Sequence, residues 1–107
     1  MTDLLLKGGE VIDPSQNIRG KLDVAVKDGV ISQVAADIDP SGFAQVVNVS
    51  GNIVIPGMID LHTHVYEGIN QTGVSPDVAG VGSGVTTVVD AGSSGCYSFG
   101  GFPKFVV

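Results

Sequence analysis

The chain has 107 residues, 43% of them hydrophobic and 15% charged, and carries a formal net charge of -6. That length allows a compact domain with only a modest core. Its five basic residues (Lys7, Arg19, Lys21, Lys27, Lys104) are scattered and form no stripe able to neutralise phosphates, which argues against a nucleic-acid partner.

Residues 1–9 lack the basic and long apolar blocks of a signal peptide. No apolar run anywhere approaches a membrane span, so no membrane association is expected. Residues 1–52 read as short strands punctuated by turns. Leu4 to Lys7 predicts a first strand, Gly8-Gly9 a break, and Glu10 to Ile12 a second run closed by Asp13-Pro14. Leu22, Val24 and Val26 alternate with Asp23, Ala25 and Lys27, the period of a half-buried strand. Asp28-Gly29 then supplies the turn of a tight hairpin, and Val30 to Val34 is the return strand. After a polar loop, Val46 to Val49 makes one more. The sum is a small antiparallel β layer with no catalytic grouping.

Residues 53–107 differ in texture. Ile53-Val54-Ile55 runs into Pro56-Gly57, and Met58 to Val65 is a further extended segment. Ser75-Pro76-Asp77 predicts a helix start, with serine as N-cap, proline at the first position and aspartate near the positive dipole end. Val78 and Val81 would share a face of that helix, and Gly82 or Gly84 would stop it. Val85 to Asp90 is β-branched and reads as a strand. Strand, short helix, strand is the beginning of a βαβ unit with a parallel sheet. Cys96 is alone, which forbids an intrachain disulfide and fits a reducing, cytoplasmic compartment. No basic neighbour activates it as a nucleophile.

Both histidines of the chain lie in His62-Thr63-His64. On a strand, residues two apart project from one face, so the two imidazoles stand side by side and can converge on one cation of the zinc class. Met58, Asp60, His62 and His64 share that face; Ile59, Leu61, Thr63 and Val65 share the other, mainly apolar one. Two surface histidines on an edge strand would explain the pair as well. Context favours the metal: the pair follows Asp60, closes a strand and is introduced by Pro56-Gly57.

The run Ile55-Pro56-Gly57-Met58-Ile59-Asp60-Leu61-His62-Thr63-His64 resembles the first barrel strand of the amidohydrolase superfamily, nearest its dihydroorotase-like and D-aminoacylase-like branch. Lys7-Gly8-Gly9 and Asp28-Gly29-Val30-Ile31 resemble that superfamily's N-terminal β-sandwich segment, and Gly84 to Asp90 its second barrel strand. The resemblance implies a parent (β/α)8 TIM barrel with a small β-sandwich domain. Residues 1–52 would then be part of the sandwich, and residues 53–107 the start of the barrel. It also implies that His62 and His64 ligate a divalent metal, expected to be zinc, in a centre of one or two ions. The metal would activate a water for attack on an amide or cyclic-amide bond of a small molecule. Asp60 and Asp90 are candidates for supporting or substrate contacts. Asp60 could equally be a satisfied carboxylate at a strand end, and Asp90 reads first as a carboxylate capping a loop. Ser93, Ser94 and Gly95 could offer backbone N–H groups to an anion, or form an ordinary turn. Tyr66 and Glu67 are placed at the entrance.

The family's remaining ligands, a bridging lysine or acid, two more histidines and a catalytic aspartate, have no counterpart in the sequence. A complete catalytic set is therefore not expected within these 107 residues. The expectation is a truncated piece, a proteolytic product or a short reading frame, inactive alone. The competing reading is a non-catalytic β module that binds itself or a partner through open sheet edges. A homo-oligomer is expected on the same ground. A lid of Phe99, Phe102 and Phe105 folded back over the sheet is the alternative cover.

Overall fold

A computed structural model describes residues 3–106; Met1, Thr2 and Val107 lie outside the described residues. The chain divides into two compact units, residues 1–56 and 57–107. It is mainly β, with seven strands and two four-residue α-helices among the described residues.

The first unit is a five-stranded mixed sheet. Strand β1 (Leu4–Asp13) lies at its centre, pairing antiparallel with β2 (Ile18–Lys27), which pairs antiparallel with β3 (Val30–Ala35). The β2–β3 turn is the two-residue Asp28-Gly29, with φ of 50° and 80°, the doubly positive backbone that suits the twist of a hairpin. On the other flank, β4 (Gln45–Asn48) and β5 (Ile53–Val54) add to β1 in succession, and both run parallel to it. The sheet is thus antiparallel only on one side. Ile53 and Val54, grouped with the second half on sequence, belong by their pairing to this sheet.

Gly8-Gly9 does not divide β1. The strand runs through with a register irregularity between Leu6 and Gly9, a bulge accommodated by Gly8 at φ +79°. A Cβ on Gly9 would lie 2.7 Å from Val54 Cγ2, so the bare backbone lets β5 close on β1. Leu5, Val11, Val24 and Ala25 form the buried apolar core of this unit.

Asp23 departs from the expected alternation, because it is only 4% exposed. Its carboxylate accepts from Lys7 Nζ at 2.9 Å, from the Gly8 N–H at 2.7 Å and from the Ile38 N–H at 2.9 Å. Burial would push this carboxyl up; the three donors outweigh it and hold it below the usual carboxylate range. Here strand alternation gives way to a buried, fully bonded acid.

The second unit is built on a parallel pair, β6 (Met58–Thr63) and β7 (Val85–Asp90). The helix between them, α1, is shorter than its sequence suggests. It covers Pro76–Ala79 and gives way to a single 3-10 turn over Val81–Ser83, so Val81 lies beyond it. Ser75 occupies the N-cap position without a side-chain capping bond. A Cβ on Gly57 would collide with the Thr86 side chain, which explains the glycine before β6. Val65, Tyr66 and Val85 are the buried apolar residues, and α2 (Phe102–Phe105) brings Phe102 edge-on to Tyr66 at 5.2 Å between ring centroids.

Candidate metal centre

Three successive residues at the end of β6 are held, two of them by the end of β7 and the middle one by Val74. Thr63 is 8% exposed and its Oγ1 donates to the Val89 carbonyl at 3.0 Å, while its own carbonyl accepts from the Ala91 N–H at 2.8 Å. Val65 donates its N–H to Asp90 Oδ2 at 2.9 Å. His64, between them, has its carbonyl taken by the Val74 N–H at 2.9 Å. The backbone carrying His64 is therefore positioned on both sides by the end of β7.

The two imidazoles do come together. Their ring centroids are 5.6 Å apart and the planes cross at 73°. His62 is exposed and His64 half-buried. Asp60 Oδ1 accepts from the His62 backbone N–H at 3.0 Å, so this carboxylate shapes the chain just ahead of the pair.

Asp90 does not join the histidines as a third donor. One oxygen receives Val65, and the other accepts from the Gly92 N–H at 3.0 Å and the Ser93 N–H at 2.6 Å. Desolvation would raise its pKa, but the bonds from Ser93, Val65 and Gly92 prevail and lower it to about 2. Asp90 is ionised and caps the loop after β7.

Ser93 is where sequence reasoning missed a contact. Its hydroxyl lies 2.9 Å from His64 Nδ1, and the residue is 8% exposed. Sequence singled out only its backbone, since nothing local links residues 29 positions apart. Tyr66, expected at an entrance, is instead core: it is 4% exposed, packs on Phe102 and donates its hydroxyl to the Ser98 carbonyl. Glu67 and Cys96 are exposed.

No family model matches the chain. It is 44% identical over 63 residues to a dihydroorotase of Trichlorobacter lovleyi, covering 59% of this chain and 15% of that one. It is 36% identical over 81 residues to a deacetylase of Brucella anthropi, covering 76% and 20%. The crystal structure of a dihydroorotase superposes over 100% of this chain and 28% of its own, with a TM-score of 0.83 at 28% identity. The chain shares its fold and part of its sequence with the amidohydrolase superfamily. This amidohydrolase-like chain spans 15% and 20% of the two curated relatives.

The donor set fits a divalent ion as part of a shell. Two neutral imidazoles side by side at a strand end are nitrogen ligands of the type zinc takes. Among the described residues no third His, Cys, Asp or Glu clusters with them.

Proposed function

We propose that the chain is part of a metal-dependent hydrolase of a small-molecule amide or cyclic amide, with His62 and His64 as two of the metal ligands. The observation that carries this is the histidine pair, brought to 5.6 Å at the end of β6 in a chain that shares its fold with a dihydroorotase. Zinc is the ion suited to these donors, in a centre of one or two ions. When bound, such an ion supplies Lewis acidity, polarising a carbonyl and lowering the pKa of water. The chain's own residues hold and orient: His62 and His64 present nitrogen, Asp60 sets the backbone at His62, and Asp90 fixes the loop facing His64. We assign residues 1–52, together with β5 on their sheet, to a β-sandwich, and the chain from β6 to residue 107 to the first strands of a (β/α)8 barrel in the whole protein. The free thiol of Cys96 is compatible with a cytoplasmic location.

Zinc titration of the 107-residue chain by calorimetry tests the ligands. Affinity should be micromolar or weaker, since two ligands leave half of a tetrahedral shell to water, and a His62→Ala/His64→Ala double variant should not bind. Tight binding that survives the double variant would sink the assignment. The same chain should not hydrolyse dihydroorotate, hydantoins or N-acyl amino acids above background. Metal-dependent turnover by purified chain that disappears in His64→Ala would show that two ligands suffice.

A second reading rests on exposed apolar side chains in the second unit. Ile59 is 62%, Leu61 73% and Val78 65% exposed. Association through this surface, as a homo-oligomer or with a partner, would cover it without any catalysis. Phe102 already folds back onto Tyr66 as part of a lid, but Phe99 and Phe105 remain exposed. Sedimentation velocity over a dilution series separates the two covers: a concentration-dependent shift supports association, and a constant monomer supports the lid.

A further inference from the structure

The histidine pair is asymmetric. The His62 ring has no hydrogen bond among the described residues, whereas His64 Nδ1 lies 2.9 Å from Ser93 Oγ. That hydroxyl is set deliberately. Ser93 is 8% exposed, so water competes little for it, and its backbone N–H is held by Asp90 at 2.6 Å. The other oxygen of Asp90 holds the N–H of Val65, the residue after His64. One carboxylate thus pins both sides of the His64–Ser93 contact.

A serine hydroxyl can donate or accept, and the choice matters. If Oγ donated to Nδ1, the proton of a neutral imidazole would sit on Nε2 and block it. If Oγ accepts from Nδ1–H, the Nε2 lone pair is free. With Nδ1 occupied by Ser93 at 2.9 Å, only Nε2 is open to a cation, and a neutral ring that offers its Nε2 lone pair carries its proton on Nδ1 and donates it to the hydroxyl.

We propose that Ser93, oriented by Asp90, is a positioning residue that fixes His64 as the Nδ1–H tautomer and presents Nε2 to a cation. This rests on the metal-ligand reading of His64. It assigns to a neutral hydroxyl, backed by a carboxylate, the role of outer partner that metal-bound histidines require.

The test is long-range proton–nitrogen correlation spectroscopy on the metal-free, 15N-histidine-labelled chain, at a pH where both rings are neutral. With only two histidines, His62→Ala assigns the signals. His64 should carry its proton on Nδ1, with His62 as the internal reference. Ser93→Ala should release His64 to the pattern of His62 and weaken zinc binding by about tenfold, while Ser93→Thr should restore both. A His64 ring protonated on Nε2 in the unaltered chain overturns the proposal, and so does a tautomer indifferent to Ser93→Ala. The first of these measurements needs no variant, so a poorly folded Ser93→Ala chain leaves the proposal falsifiable. Because no metal is present, its failure is distinct from that of the metal reading, which shows as zinc binding independent of His62 and His64.

Discussion

In the first unit the one buried acid, Asp23, sits against an ammonium and two backbone donors at the heart of a five-stranded sheet. In the second, two histidines stand at the end of a two-stranded sheet whose Ile59 and Leu61 face water. Both units use a carboxylate to organise backbone, but to different ends. Asp23 ties β1, β2 and the segment at Ile38 into a closed scaffold. Asp90 ties the ends of β6 and β7 and holds the backbone of Ser93 beside His64. The first unit closes around a bonded acid, whereas the second leaves its histidine pair at a strand end and more large apolar side chains exposed.

The sharpest way to break that comparison is to remove the acid of the first unit. Asp23→Ala leaves the N–H groups of Gly8 and Ile38 without their acceptor and Lys7 with only the Ile38 carbonyl and the exposed Asp37, and should cost about 2–3 kcal/mol. Denaturant unfolding read by hydrogen exchange should show the loss in β1 to β3, with β6 and β7 unchanged. Equal loss in both would mean that the two units do not differ as described.

A smaller effect is expected from Gly57→Ala, because the new Cβ meets three atoms of Thr86. Overpacking of this kind costs about 1–3 kcal/mol, with the lower half expected since the Thr86 side chain is exposed and can turn. Thermal melts of Gly57→Ala and of Gly57→Ala/Thr86→Ala check it: recovery in the double variant supports the contact, and an additive loss refutes it.

An effect of similar size is acid sensitivity at Asp90. Its folded pKa of about 2 lies below the usual 3.8, so the fold favours the ionised form. The resulting stabilisation is present above about pH 4 and is lost as pH falls towards 2, about 1–2 kcal/mol after allowance for solvent screening. Asp23 is shifted in the same direction, so an Asp90→Asn variant is needed to separate them. Stability of β6 and β7 should respond less to acid in that variant than in the parent chain. An identical acid response would remove Asp90 from the account.

What the sequence made legible was local. Asp28-Gly29 carries its turn in its own backbone preferences, and alternation along Met58 to Thr63 brings His62 and His64 together without any knowledge of the rest. Tertiary partners overrode local signals elsewhere. Gly8-Gly9 looks like a turn but is a bulge inside one long strand, because β4 and β5 line up along its flank. Asp23 looks like a wet-face residue until Lys7, 16 positions away, and Ile38 arrive. The histidine pair was readable as a motif; the hydroxyl beside His64 was not, since Ser93 belongs to a loop whose path depends on Asp90.

The central place of β1 also has a consequence for the order in which the chain is made. Its antiparallel flank can be completed once β2 has been synthesised, but its parallel flank needs residues 45–54. Until Val54 leaves the ribosome, one long edge of β1 has no partner strand, with its backbone groups open to pairing with another nascent chain. Between the synthesis of Lys27 and that of Val54, this edge of β1 is therefore open to association with another chain.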